Sequence, residues 1–375
     1  MSYALQTLWH ERTRYASGVL AVTFSAVLIA LQCGLLLGLF KITSIPVDNT
    51  TADIWIGSTA ASSVDLGKPI PNSYISRLAG MPGVQMPEQY ISNFANFSKP
   101  IGGTELCFLL GSRLDDGASG AATLLTKEQR EALTMPYAIV VDESDVKRLS
   151  LDSPDGEPRI NGKRVHLVGT VKGLRSLAAP WVFCSLHTAR QLMGLMLPPD
   201  HVTYLLAKCD SPQRAKQVAS ELRTQYSGDM VAYTAEEFSF QSRMYWLTRT
   251  KAGLAIGYAA LLGLIVGAVI TAQTLYSATA ANAKEFAILL ALGIPRWRIS
   301  LMVLTQSFWV GIIGIALAYP VCLGLRAIAI QFNTDVDMRW EILVGTATIT
   351  VGMALIAGTL ALRSVKQIEP MNLLR

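Results

Sequence analysis

Four histidines, His10, His166, His187 and His201, are the first side chains to test for chemistry, and none lies at metal-ligand spacing from another. No H-x-x-x-H, paired-cysteine or G-x-S-x-G pattern occurs, so neither a zinc site nor a nucleophile elbow can be drawn. We therefore expect no catalytic residue and no metal site. The carboxylate pairs Asp115-Asp116 and Asp142-Glu143 fall in turn-forming sequence and read as solvated. Met193, Met196 and Leu197, downstream of Trp181, read as core packing before they read as a greasy substrate or partner surface. No G-x-x-x-x-G-K-[ST] stretch is present, so the sequence offers no phosphate loop for a nucleotide.

With catalysis set aside, composition becomes the guide. Hydrophobic residues make up 51% of the 375 positions, charged residues only 16%, and the mean hydropathy is +0.36, unusual for a soluble protein. The excess sits in four uncharged stretches, 17–40, 252–283, 299–325 and 342–362. At about 1.5 Å per helical residue, each is long enough to cross a hydrocarbon core of about 30 Å. Arg12 and Arg14 precede the first stretch as in a signal peptide. Its length, and the lack of a small-x-small cleavage site after it, favour a retained helix.

Residues 41–250 have the composition of a soluble domain, with Pro, Gly, Asn and Asp throughout. Strands are expected at 52–56, 137–141, 165–171, 202–206 and 230–233, and helices at 73–79 (closed by Gly80), 143–149 and 212–226 (capped by Ser211). Asn161-Gly162 signals a hairpin. Residues 235–250 have helical character and lead into the second span without a flexible linker. The fold expected is an all-α membrane part of four transmembrane helices with an inserted extracytoplasmic α+β domain.

Charge orients it. Arg12, Arg14, Lys284, Arg296, Arg298, Arg363, Lys366 and Arg375 occupy three alternating flanks with only Glu11, Glu285 and Glu369. The 326–341 loop instead sets Arg326 and Arg339 against Asp335, Asp337 and Glu341. The positive-inside rule then puts both termini in the cytoplasm, although Lys41, Arg249 and Lys251 flank the outer ends. The chain is accordingly read as a cytoplasmic amphipathic segment 1–16, a span at 17–40, the outer domain 41–250, a span at 251–276, a cytoplasmic loop 277–298, a span at 299–325, a short external loop 326–341, a span at 342–362 and a cytoplasmic tail 363–375. The net charge of +5 is scattered rather than gathered into a patch, so no nucleic-acid partner is expected. Of the five cysteines, Cys107, Cys184 and Cys209 lie outside the spans; Cys184 with Cys209 is one pairing open to them and an unpaired set is the other reading, so no disulfide framework is drawn.

Within the spans, Gly34 with Gly38, Gly253 with Gly257 and Gly263 with Gly267 recur at four-residue spacing, which lets helix backbones approach closely. Pro320 predicts a kink late in the third span. The second uncharged run is longer than the hydrocarbon requires and should project from the membrane on its cytoplasmic side. There it meets the segment running from Lys284 and Glu285 through Phe286, Ile288, Leu289, Leu290 and Leu292 to Gly293, Pro295, Arg296, Trp297 and Arg298. The segment is a charged pair, a short apolar helix, a glycine stop, and a basic-aromatic restart. So many apolar residues on so short a helix point to contact with a partner or with membrane lipid.

This segment resembles the "R-E-I-G-x-L-R-A-x-G-A-x-x-x-x-I" stretch of the FtsX/MacB/LolC family of ABC transporter permeases. Glu285, Leu289, Ala291 and Gly293 stand at the matching positions; Phe286 and Ala287 replace Ile-Gly, and Leu290 stands where a basic residue is usual. The four-helix plan, with a domain between the first two spans, is similar to the family over the whole chain, as is the ending from Ile368 through Pro370 to Leu374 and Arg375. The opening from Ala4 to Glu11, Asn161-Gly162-Lys163-Arg164-Val165 and Leu167-Val168-Gly169-Thr170 look closest to the DevC-like permeases of glycolipid-export systems.

The resemblance implies a MacB-like periplasmic core for the outer domain and an inner-membrane location. It implies a separate cytoplasmic ABC ATPase that holds ATP and magnesium, this chain binding no cofactor of its own. It further implies a homodimer or a pair with a similar permease, and an exporter working by mechanotransmission with a periplasmic membrane fusion protein and an outer-membrane channel. The alternative within the family is an FtsX-like regulator that controls an external enzyme or sensor without transporting a substrate.

Overall fold

The computed structural model describes residues 12–153, 156–174, 179–281, 288, 292–331 and 340–366. It divides into a helical unit, drawn from residues up to Leu37 and from Gly253 onward, and a second unit spanning Gly38–Ala252.

In the helical unit, the apolar stretches become four helices long and apolar enough to cross a membrane. They are α1 (Arg12–Asp48), α8 (Lys251–Ala281), α9 (Arg296–Gln331) and α10 (Trp340–Lys366), with α2 to α7 falling between the first two in the chain. Both α1 and α9 outrun the spans expected from composition, and α9 continues past Pro320 to Gln331. Lipid tails give apolar helices no reason to associate, so close backbone approach and polar contacts must hold them. The packing follows that rule. A Cβ placed on Gly263 would sit 2.2 Å from Leu28, and one on Gly267 only 1.7 Å from Ser25 Oγ. Ser25 donates its hydroxyl hydrogen to the Gly263 carbonyl at 3.2 Å. Gly314 faces Val22, Gly311 faces Ala354 and Gly358 faces Ser307, which tie α9 to α1 and to α10. Among the other glycines singled out by spacing, Gly34, Gly38 and Gly253 are buried, whereas a Cβ on Gly257 would meet nothing within 4 Å.

The second unit is built on a mixed sheet. Its strands are β1 (Ile54–Gly57), β2 (Ile70–Pro71), β3 (Val84–Ser98), β4 (Thr104–Ser112), β5 (Ala138–Asp142), β6 (Arg159–Ile160), β7 (Lys163–Arg164), β8 (His166–Val171), β9 (Trp181–Ser185), β10 (His201–Val202), β11 (Tyr204–Cys209) and β12 (Val231–Thr234). Among the described residues the main sheet runs β12-β1-β11-β3-β4-β9-β5-β8, with β6 and β7 attached at β3, while β2 and β10 pair separately. The β4·β9 and β5·β8 pairs are parallel. Its helices are α2 (Ile75–Ala79), α3 (Lys127–Ala132), α4 (Glu143–Arg148), α5 (Leu186–Met193), α6 (Pro212–Gln225) and α7 (Ala235–Arg249).

Period-two alternation divides the core. Phe108, Leu110, Val140, Trp181, Phe183, Tyr204 and Trp55 point to one face, together with Ile45, Val47 and Phe238. Cys107, Leu109, Ile139, Val141 and Val182 point to the other, where α5 covers them with Ala189, Leu192 and Met193. Farther along that side α6 covers β1 and β11 through Ala215, Val218, Ala219 and Leu222. The first face thus carries the C-terminal end of α1 and the start of α7.

Local chemistry explains the element ends. Asn161 and Gly162 have φ of 49° and 82°, the left-handed pair that a tight hairpin requires. Ser211 caps α6 by accepting from the Arg214 N–H, and Thr234 with Glu237 forms a capping box at α7. The expectation of a solvated Asp142-Glu143 pair is corrected at its first member. Asp142 is buried because it caps α4 through the Ser144 N–H and also accepts from the Leu174 N–H at 2.8 Å. Asp115 is half exposed and held by Arg113. Met193 and Leu197 are core residues, but Met196 is exposed. All five cysteines are free.

Candidate functional site

The candidate site comprises the segment after α8, and the two helices by which the second unit joins its neighbouring spans.

Lys284, Glu285, Phe286, Leu289 and Leu290 lie outside the described residues. Beyond them a turn at Gly293 leads into the start of α9. The Leu292 N–H donates to the Ile288 carbonyl at 2.9 Å, and both apolar side chains are exposed. Gly293 then takes φ +86°, the left-handed conformation that ends helices and that side chains with a Cβ resist. Pro295 precedes α9, and its carbonyl accepts from the Arg298 N–H at 3.0 Å. The Arg298 guanidinium lies 5.4 Å from the Trp297 ring centre, a cation–π contact on an indole that is 62% exposed. Arg296 opens the helix, and Ile299 one turn later is buried. A restart this exposed presents a positive charge and a flat aromatic surface together.

Within the second unit, α1 and α7 meet side by side. Asp48 accepts from Arg243 Nη2 at 2.6 Å, from Ser239 Oγ at 2.7 Å and from Ser44 Oγ at 2.5 Å. Arg243 Nε also donates to Ser44 Oγ at 3.0 Å. A second tie lies farther along α7, where Trp246 Nε1 donates to Asp65 at 3.2 Å and buried Ser242 accepts from the Val64 N–H. Phe238 anchors the start of α7 in the sheet, with Trp55 at 5.9 Å, Tyr204 at 5.5 Å and Tyr233 stacked at 5.0 Å. Residues 239, 243 and 246 are spaced i, i+4, i+7 on one helix face, which is the sequence signal that could have revealed this contact. The partner carboxylate, 195 positions earlier, carries no comparable signal. Past Arg249 the helix breaks at Thr250, with extended φ −96° and ψ 147°, before α8 begins at Lys251. The connection is one residue, short but not a continuous helix.

The remaining polar features do not converge on a reaction. A cleft of about 570 Å³ lies at the carboxyl ends of β4 and β9, lined by Arg113, Asp115, Lys127, Arg130, Glu131 and His187 among others. Its charges are of both signs, and Arg113 and Asp115 engage each other. His187 contacts Gln191, His166 is on an exposed strand start and His201 is on β10, far apart in the fold's connectivity. No group of three metal-ligating side chains occurs among the described residues. The buried acid Asp145 stands apart from this cleft. One of its oxygens is 3.7 Å from Arg148 and the other has no hydrogen-bond partner, and burial pushes its carboxyl up to about 7.

Residues 257–370 match the family model described as FtsX-like permease C-terminal. The matched region is just under a third of the chain and includes the segment between α8 and α9. The family resemblance read from the Glu285 to Gly293 motif is borne out. No curated protein sequence matches the chain. Among solved structures, the chain is similar to the periplasmic region of MacB from Actinobacillus actinomycetemcomitans, at 12% identity and a TM-score of 0.34, over 51% of this chain and 92% of that one. It is also similar to the extracellular domain of the noncanonic ABC-type transporter YknZ from Gram-positive bacteria, at 11% identity and a TM-score of 0.34, over 48% of this chain and 98% of that one.

Proposed function

We propose that this chain is the permease subunit of an ABC transporter in which a cytoplasmic ATPase, carried on a separate polypeptide, drives the outer domain by mechanical transmission. The observation that carries the reading is the FtsX-like permease match, which brackets the segment from Lys284 to Arg298 between two membrane helices. In this reading both termini and that segment face the cytoplasm, and the 41–250 domain faces the periplasm. ATP and magnesium stay on the ATPase, which pushes on the Glu285 to Gly293 helix and on the exposed Trp297 and Arg298 beside it.

The push enters α8 and leaves it through Thr250 into α7. There Phe238 and the Asp48–Arg243 pair pass it to the sheet and to the C-terminal end of α1. Two permease chains, identical or similar, supply the two coupling segments that a pair of ATPase domains needs. Export with a membrane fusion protein and an outer-membrane channel, in a DevC-like glycolipid system, is the form of transport the sequence resemblance favours.

The test is co-purification of the full chain with the ABC ATPase encoded beside it, wild type against Glu285→Ala and Gly293→Pro. The expected result is loss of most of the bound ATPase in both variants, with the permease still monodisperse. Full retention of binding and of ATP-dependent function in both would overturn the assignment.

A further inference from the structure

A polar groove interrupts the apolar surface of the helical unit. It encloses about 250 Å³ and is lined by Ser17 of α1 and by Ile270, Gln273, Thr274 and Ser277 of α8. Residues 270, 273, 274 and 277 are spaced i, i+3, i+4, i+7 and so form one face of α8. The two helices touch at its side, where a Cβ on Gly18 would lie 2.9 Å from Thr274 Cγ2. Three hydroxyls and a carboxamide are gathered on helices that are otherwise apolar.

The depth of this groove is set by the helices themselves. The apolar window of α1 is Tyr15–Gly38, and Ser17 is its third residue; that of α8 is Gly253–Thr274, so Gln273 and Thr274 close it and Ser277 lies beyond. All four polar side chains are therefore at one rim of the hydrocarbon, the level of lipid headgroups. Exposed Arg12 begins α1, one to two turns before Ser17. Among the described residues the lining holds no carboxylate. Neutral donors at the cationic end of a helix, with no acid among them, complement the singly charged oxygen pair of a phosphodiester. A second helix would not enter so small a space, whereas a headgroup phosphate does.

We propose that this groove binds the phosphodiester of a membrane phospholipid, seated between α1 and α8 where α8 leaves the membrane toward the Lys284 to Arg298 segment. The site would clamp a lipid against the helix that the proposed function makes the lever. It does not depend on that function, because it can be measured on the permease alone.

The experiment is native mass spectrometry of the full chain in detergent, titrated with phosphatidylglycerol, with the matching diacylglycerol that lacks the phosphate, and with inorganic phosphate as competitor. The variants are Ser17→Ala with Ser277→Ala, and the same pair with Thr274→Val; Thr348→Val, an exposed hydroxyl on α10, is the control. Expected are discrete phosphatidylglycerol adducts that fall about tenfold in the triple variant, persist in the control, and are absent with diacylglycerol. Equal adducts in all variants, or equal binding of diacylglycerol, would sink the proposal. Displacement by millimolar inorganic phosphate would reassign the groove to a free anion, and a variant-sensitive dimer without lipid adducts would reassign it to a second copy. The double serine variant removes only two hydroxyls, so it carries the test if the triple variant does not fold.

Discussion

Asp48 at the C-terminal end of α1 and Arg243 in the middle of α7 are joined by a 2.6 Å ion pair across 195 positions of sequence. The pair is a third exposed on each side, so its Coulomb energy is screened by water, and its worth comes from the two serine hydroxyls that share the same carboxylate. We expect Asp48→Ala to destabilise the contact by about 1–2 kcal/mol. A double-mutant cycle with Arg243→Ala should show coupling of at least about 0.5 kcal/mol. Hydrogen exchange of the α7 amides is the measurement, since loss of the tie should speed exchange at 239–246 and leave β5 unchanged. If the lever reading holds, Asp48→Ala also lowers ATP-driven function without lowering ATPase binding. Purely additive mutations would show that the two residues touch without working together.

A second expectation concerns the packing of α8 on α1. Gly267→Ala would place a methyl 1.7 Å from Ser25 Oγ, inside any tolerable contact, and relief requires a helix to shift. Overpacking of this kind costs about 1–3 kcal/mol. Gly257→Ala, with nothing within 4 Å of the new methyl, should be neutral or slightly stabilising. Thermal unfolding in detergent distinguishes them: a lowered midpoint for Gly267→Ala, partly restored by Ser25→Gly, and none for Gly257→Ala. Equal melting of the two glycine variants would contradict the geometry.

A linear sequence displays local properties and hides distant partners. Four spans, the Asn161-Gly162 hairpin and the Ser211 cap are legible because each is a local property of a few consecutive residues. Spacing gives Gly257 and Gly263 the same standing, yet only the second meets a neighbour, because spacing does not say which helix face is covered. The first half of β3 is hidden since Pro87 and the buried Glu88, in the part that pairs with β11, break its apolar alternation. Glu88 is tolerated because the Ser119 and Gly120 N–H groups and the Ser119 hydroxyl satisfy it. Asp142 reads as solvated because its three donors, from Ser144 and Leu174, come partly from 32 residues away.

Asp145 makes a pH prediction. Its carboxyl rises from an ordinary 3.8 to about 7, chiefly through burial, with Arg148 pulling it down and Asp142 and Glu105 pushing it up. The folded chain then holds this proton to higher pH than the unfolded chain does. Stability from this residue is full below about pH 4 and is lost as pH rises toward 7. The loss is on the order of a few kcal/mol at the alkaline end. Asp145→Asn should remove that slope, so that α4 amide exchange at pH 8 is slower in the variant than in the wild type. An unchanged pH dependence would mean that another group titrates.

The stop at Gly293 supplies the last prediction. Its φ of +86° suits glycine, is borne by asparagine at modest cost, and is resisted by a β-branched residue. Gly293→Asn should therefore keep the turn before Pro295, whereas Gly293→Val should open it and misdirect Trp297 and Arg298. The cost to folding is small in both, about 1 kcal/mol or less for Asn and about 1–2 kcal/mol for Val, because the segment is exposed. Capture of the ATPase should accordingly be near wild type for Asn and several-fold weaker for Val, at equal permease yield. Equal capture by both would show that the ATPase reads the segment's side chains and not the turn that aims them.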